Sequence, residues 1–238
     1  MSSNETLGAS LGMRLDGGSV DQDMIGSSLQ TRAVGDLSAQ LAAKRLVDIL
    51  VSGMALLMLL PLFIVVAIAI RMESPGPVFF RQVRWGKDCK RINIFKFRSM
   101  RADLGDATGV QQTVRNDPRI TRLGAFLRSS NLDELPQLIN VLKGDMSLVG
   151  PRCHAIGMKA VGVQYEELVP HYHQRHQMRP GITGLAQMRG LRGPTDTAAK
   201  SRARIACDLH YIQNYSLALD FKIAYGTVRN EIFGGSGF

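Results

Sequence analysis

Apolar positions fall into three patterns along this chain. From Ile49 to Ile70 they are continuous: "ILVSGMALLMLLPLFIVVAIAI" holds no charge and is long enough to cross a bilayer as a helix. In "VFFRQVRW" and "RINIFKFRSM" apolar and basic residues alternate with the period of a half-buried strand, and "GKDC" between them fits a hairpin turn. Such a hairpin is expected to have one apolar face and one strongly cationic face. In "NLDELPQLINVLKG", Leu135, Leu138, Ile139 and Leu142 keep i, i+3, i+4, i+7 spacing and predict a helix with one buried stripe. Gly144 suits the C′ position, and Pro136 is tolerated only in the first turn, so the helix should start close to Asp133.

The remaining pattern completes a mainly α fold with a small β-hairpin. "RITRLGAFLRSS", residues 119–130, reads as a short amphipathic helix or turn. The segment "CDLHYIQNYSLALDFKIAYGTVRNEIF" mixes aromatic, apolar and charged positions, as an interfacial amphipathic helix or one packed against the core would. Residues 1–40 are rich in Ser, Gly and Asp without periodicity and read as a disordered N-terminal tail. They lack the basic and apolar regions of a secretory signal. Residues 41–72 form the membrane segment, and 73–238 the domain that follows.

Hydropathy alone makes the apolar run a single transmembrane helix. Pro61 near its middle removes a backbone hydrogen bond and favours a kink. Both flanks are also basic: Lys44 and Arg45 precede the run, and Arg71, Arg81, Arg84 and Lys87 follow it. The positive-inside rule would hold both ends on the cytoplasmic side. The expectation is a re-entrant, monotopic helix broken at Pro61.

Charge then narrows the partners. The 238 residues carry a formal charge of +9, which implies nucleic acid, acidic lipid or phosphorylated small molecules. No helix-turn-helix, zinc or RNA-recognition pattern appears, which argues against nucleic acid. The three cysteines, Cys89, Cys153 and Cys207, form no metal or redox spacing and read as reduced thiols. "HYHQRH" (His171, His173, His176) lacks a second ligand group at metal spacing and reads as surface or substrate-site polarity.

The candidate chemistry centres on Asp133 and Glu134. Two acids at a helix start are ordinarily caps that compensate the dipole, and the residues alone favour that reading. The chemical alternative is an ionised Asp133 that attacks phosphorus, beside a Glu134 that holds Mg²⁺. Lys96 and Arg98 on the cationic strand are candidates for a diphosphate cradle. Asp145 reads as a turn-ordering carboxylate. In "RPGITGLAQMRG", which carries Arg179 and Gln187 as candidate substrate contacts, the glycines would let backbone approach phosphate.

"SPGPVFFRQ", "FKFRSM", "DPRITRLGAFLRSSNLDELPQLINVLKGDMSLVGPR" and "RPGITGLAQMRG" occur in this order. Together with the apolar segment they resemble the bacterial sugar transferase family, the monotopic polyprenol-phosphate phosphoglycosyl transferases, over about residues 41–232. The resemblance implies transfer of a sugar-1-phosphate from a UDP-sugar, a hexose such as galactose or glucose, to polyprenol (undecaprenyl) phosphate. It implies an inner-membrane enzyme at the cytoplasmic face that initiates exopolysaccharide synthesis. Asp133 would be the nucleophile that forms a covalent phosphosugar and releases UMP, Glu134 the Mg²⁺ ligand, and Arg128 and Arg152 phosphate binders. Two positions depart from the family pattern: Leu60-Pro61 stands where Ser-Pro is common, and "GPRC" where "GPRP" is usual. A non-catalytic basic scaffold and an aspartyl-phosphate hydrolase are the competing readings. Oligomeric state is not legible.

Overall fold

The computed structural model describes residues 34–104, 117–193 and 197–233. Residues 39–238 form one compact unit and Met1–Ser38 another, of which only the start of the first helix is described. The expected tail therefore lies largely outside the described residues.

Helix α1 (Val34–Glu73) is 40 residues long and runs through Pro61 as continuous helix. Its Leu, Met and Ala residues are strong helix formers, and the uncharged run around them is apolar on every side. Most of that apolar surface meets no protein: Leu57 and Met58 are each 74% exposed. Its buried apolar residues lie in the C-terminal part, where Val66 and Ile70 meet Phe97 and Leu127. Among the described residues it is the one helix long and apolar enough to cross a membrane. A helix that exposes such a surface is not the core helix of a water-soluble domain.

Polar residues tie both flanks of the apolar run of α1 to residues that follow the helix. Lys44 Nζ donates to Asp220 Oδ2 at 2.7 Å and to the Val149 carbonyl at 2.8 Å. Arg45 donates to the carbonyls of Val141 and Leu142. Asp48 Oδ1 accepts from Ser147 Oγ and Leu148 N. The two basic residues read as a headgroup flank thus make protein contacts, Lys44 in a buried position. At the other end Arg98 donates to the carbonyls of Ile70, Ser74 and Pro75. Ile70 lies in the last turn of α1 and also accepts from Ser74 N, and Ser74 and Pro75 lie just past the helix end, so Arg98 ties down the exit of the helix.

The hairpin forms as the alternation predicts. Strands β1 (Phe79–Trp85) and β2 (Arg91–Phe97) pair antiparallel, with Phe79 opposite Phe97 and Trp85 opposite Arg91. The expected segregation into apolar and cationic faces does not hold. The inward face carries Gln82, Arg84 and Lys96 beside Phe80, Ile92 and Ile94, while Phe79, Val83 and Arg81 are exposed. The polar inward residues find partners on the segments that follow, so burying them is tolerated.

Thr121 caps helix α2 (Arg122–Ser129) by accepting from Gly124 N at 2.9 Å. The acidic pair then occupies its own 3₁₀ turn, Leu132–Glu134, and helix α3 (Gln137–Lys143) starts after Pro136. The helix therefore begins later than expected, and its stripe differs. Gln137, Leu138, Asn140 and Val141 are buried, whereas Leu142 is exposed on the side of α1 and reaches 4.0 Å from a Cβ built at Gly53. Asn140 replaces an apolar residue because its amide pairs with the edge of β2: it accepts from Phe95 N at 2.9 Å and donates to Asn93 O at 2.7 Å. Asp145 does order the turn beyond α3, accepting from Asn140 and Lys143.

Next come β3 (Ser147–Val149), the short hairpin β4 (Lys159–Ala160) and β5 (Val163–Gln164), and helix α4 (Tyr165–Leu168). A 3₁₀ segment, Tyr172–Gln177, leads to β6 (Gly181–Thr183), which lies parallel to β3. Helix α5 (Leu185–Met188) follows. The segment read as one late amphipathic helix is two, α6 (Ala198–Gln213) and α7 (Leu217–Phe233). Tyr211, Tyr215 and Ile223 join a core with Val149 and Leu185, while Phe221 and Tyr225 remain exposed on α7.

Candidate functional site

The 3₁₀ turn brings Asp133 and Glu134 under the inward face of the hairpin. Asn131, at φ 55°, turns the chain sharply after α2 so that the acids follow at once. Glu134 Oε1 accepts from Lys96 Nζ at 2.7 Å and from Arg152 Nη2 at 2.5 Å. Asp133 is buried, and among the described residues its carboxylate accepts no hydrogen bond.

Arg152 arrives through close backbone packing. A Cβ on Gly181 would lie 2.2 Å from Gly150 N, and one on Gly184 2.3 Å from Gly150 O. The glycines of "RPGITG" therefore let the β3 and β6 segments touch each other. This packing holds Arg152 opposite Gly181. Arg152 Nη1 and Gln187 Nε2 both donate to the Ile182 carbonyl, at 3.3 and 3.0 Å. Gln187 Oε1 is buried without a partner, an unused acceptor beside the site. From behind, Arg175 donates to the Arg152 carbonyl and pairs with Asp208. In "GPRC", Cys153 packs against Ile94, Val141 and Met146, and its carbonyl accepts from Arg84 at 2.9 Å.

The electrostatics shift the two acids in opposite directions. Burial opposes ionisation of Glu134, but Arg152 and Lys96 outweigh it and hold its carboxyl well below the usual range. For Asp133 burial is the largest influence and pushes the carboxyl up; Lys96, Arg128 and Arg152 pull it down, and Glu134 adds an upward push. Asp133 lies buried in a turn of its own, so burial outweighs the pull of these cations. Burial lowers the Arg84 guanidinium, which feels both Glu134 and Arg152.

The structure therefore brings together Asp133, Glu134, Lys96, Arg128, Arg152 and Gln187 out of the residues singled out in the sequence. Arg98 stands apart at the end of α1. Arg179 also stands apart: its Nε donates to the Gly144 carbonyl, beyond the end of α3 away from Asp133. The histidines of "HYHQRH" do not join this site either. Arg84 belongs to it and was missed. Its signal was parity, since the hairpin register puts it on the face that carries Lys96.

Hard oxygen donors suit Mg²⁺, and this donor set fits one. The Asp133 carboxylate and Glu134 Oε2 are the oxygens left over once Oε1 has taken Lys96 and Arg152. Such a cation would complete its shell with water and substrate phosphate.

The chain was compared with known proteins. The model of the bacterial sugar transferase family matches residues 39–234. The chain is 65% identical over 198 residues to the exopolysaccharide production protein PSS of Rhizobium leguminosarum bv. phaseoli, covering 83% of this chain and 99% of that one. It is 48% identical to a UDP-glucose:undecaprenyl-phosphate glucose-1-phosphate transferase of Caulobacter vibrioides, covering 78% of this chain and 68% of that one. It is 51% identical to a protein of the same name from Klebsiella pneumoniae, where the match covers 82% of this chain but only 41% of the relative. With the family model matching most of its length, and with the acidic pair, Lys96 and Arg152 meeting in one site, the chain belongs to the bacterial sugar transferase family.

Proposed function

We propose that the protein transfers glucose-1-phosphate from UDP-glucose to polyprenol (undecaprenyl) phosphate, releasing UMP and starting exopolysaccharide assembly. An Asp133 oxygen attacks the β-phosphorus of UDP-glucose as the bond to the bridging oxygen breaks and UMP leaves. The lipid phosphate then attacks the same phosphorus, the Asp133–phosphorus bond breaks, and the product is a polyprenol diphosphate sugar. The observation that carries this reading is a buried carboxylate with no hydrogen bond among the described residues, set among Lys96, Arg128 and Arg152. Arg84 feels Glu134 beside it, so Lys96, Arg84 and Arg152 outnumber the two carboxylates and leave positive charge for a diphosphate, and phosphoryl transfer depends mostly on positioning and charge stabilisation. Mg²⁺, when bound, would neutralise phosphate oxygens beside Asp133. Arg152 and Lys96 keep Glu134 ionised for that purpose. The relatives named for UDP-glucose support glucose over other hexoses.

The membrane reading follows from α1. Lys44 and Ile70, near the two ends of its apolar part, both contact residues that follow the helix, Asp220 and Arg98. A helix held near both ends by the residues that follow it favours a monotopic seat at the cytoplasmic face of the inner membrane over a crossing, although α1 is continuous where a break at Pro61 was expected. Cysteines at positions 43 and 73 should then react with an impermeant reagent from the same side. Opposite-side labelling would sink the monotopic claim.

The chemical test uses the full chain in detergent with UDP-glucose and no acceptor. Mass spectrometry should find a phosphohexose on the Asp133 peptide, with UMP released. Asp133→Asn should show neither. Unchanged UMP release by Asp133→Asn would remove the covalent mechanism, and a matching adduct formed faster from UDP-galactose would change the sugar.

A further inference from the structure

The hairpin turn and the "HYHQRH" segment hold a second cluster outside the transferase site. The 3₁₀ segment Tyr172–Gln177 completes a turn in three residues, so His173 and His176 eclipse on one side. Their ring centroids are 5.5 Å apart. The β1–β2 turn holds Asp88 and Cys89 at positive φ, 54° and 56°, and delivers the Cys89 thiol between the two rings. Cys89 Sγ lies 3.3 Å from His176 Nδ1 and 3.7 Å from His173 Nδ1. One ligand atom from each of the three residues falls within 4.8 Å of the others.

We infer that Cys89, His173 and His176 form a zinc site that fastens the hairpin turn to the histidine segment. Zinc bonds of about 2.3 Å to sulfur and 2.0–2.1 Å to nitrogen, at tetrahedral angles, separate sulfur from nitrogen by about 3.5 Å. The two observed sulfur–nitrogen distances bracket that value. One thiolate and two imidazoles are a borderline-soft set that suits zinc rather than Mg²⁺. The fourth position falls to water.

A carboxylate stands near the outer nitrogen of one of the two histidines. With Nδ1 on the metal, His173 turns Nε2 toward Glu166 Oε1, at 4.0 Å. Glu166 is held in turn by the Trp85 indole N–H at 3.3 Å. His176 is buried and its Nε2 has no partner, so its Nδ1 is the nitrogen turned to Cys89. The same 3₁₀ segment carries Arg175, which donates to the Arg152 carbonyl. Metal binding would therefore brace the backbone behind the transferase site without entering it. Sequence spacing hid the set because Cys89 and His176 are 87 residues apart.

Cobalt(II), a spectroscopic stand-in for zinc, can be titrated into the full chain in detergent. One cobalt per chain should bind with a thiolate-to-cobalt charge-transfer band, and zinc should displace it. Cys89→Ser should abolish the band. Glu166→Gln should weaken cobalt binding about 10- to 100-fold. Zinc should raise the thermal unfolding midpoint of the wild-type chain and leave that of Cys89→Ser unchanged. A wild-type chain without the band, a band that survives Cys89→Ser, or cobalt affinity unchanged in His173→Ala would each overturn the site, leaving only a hydrogen-bonded cluster. None of these readouts depends on Asp133 chemistry.

Discussion

Arg152 Nη2 lies 2.5 Å from Glu134 Oε1, and Lys96 reaches the same oxygen from the hairpin. One carboxylate oxygen thus joins a strand, a 3₁₀ turn and the loop after β3. Arg152→Met would leave Glu134 with a single partner and remove a fork from the phosphate side. Removing one preorganised donor of developing charge lowers kcat about 10²- to 10³-fold. Arg152→Lys should recover only part of this, because an ammonium lacks the bidentate fork. Steady-state UMP release with KM and kcat separated checks both; a change in KM alone would make Arg152 a ground-state binder.

Asp133 should set the acid limb of the reaction. Its carboxyl is pushed above the ordinary range by burial, so the attacking form is lost as pH falls through that raised value. Between the ordinary and the raised value the folded state binds more protons than the unfolded one, so this group lowers stability as pH rises through the window. Glu134 acts in the opposite sense: its stabilisation is present above the ordinary glutamate value and is lost as pH falls toward its depressed one. Arg128 pulls Asp133 down, so Arg128→Met should move the acid limb of single-turnover UMP release to higher pH. A limb that stays in place would assign it to another group.

Lys44 and Asp220 test how α1 is held. Both side chains are about one-tenth exposed, 9% and 11%, so the pair behaves as buried. Lys44→Met strands the Asp220 charge and should destabilise the protein by about 3–5 kcal/mol. Adding Asp220→Asn should recover most of this, since the amide oxygen can still accept from Tyr211. Thermal unfolding in detergent reads both; equal losses in the single and double variants would contradict the pairing.

Arg98 should behave as a helix cap. Arg98→Met leaves carbonyls at the end of α1 without partners and should destabilise by about 1–3 kcal/mol. The KM for UDP-glucose should change less than about threefold, a shift worth under about 1 kcal/mol. A large rise in KM with unchanged stability would return Arg98 to the phosphate cradle.

What the sequence made legible was periodic or local. Alternation gave the hairpin, the uncharged run gave α1, and Pro136 with Gly144 bounded α3 to within a few residues. The acidic pair stood out against a basic chain. What stayed hidden needed long-range partners. Asn140 reads as polar until β2 offers its backbone, and Lys44 reads as a flank charge until Asp220 arrives. Arg98 and Lys96 are two residues apart on one basic strand, yet one meets carbonyls and the other a carboxylate. The glycines of "RPGITG" show their packing role only once Gly150 is seen against them.

The Lys44–Asp220 bond joins residues 176 apart in the chain. It ties the first described helix to the last, so maturation is vectorial. The ribosome releases α1 early, with a lysine whose carboxylate has not yet been made. The partners of Arg45, Asp48 and Ile70 all precede α7 in the chain, whereas Asp220 emerges only with α7, so the bond at Lys44 is the last of these ties to close.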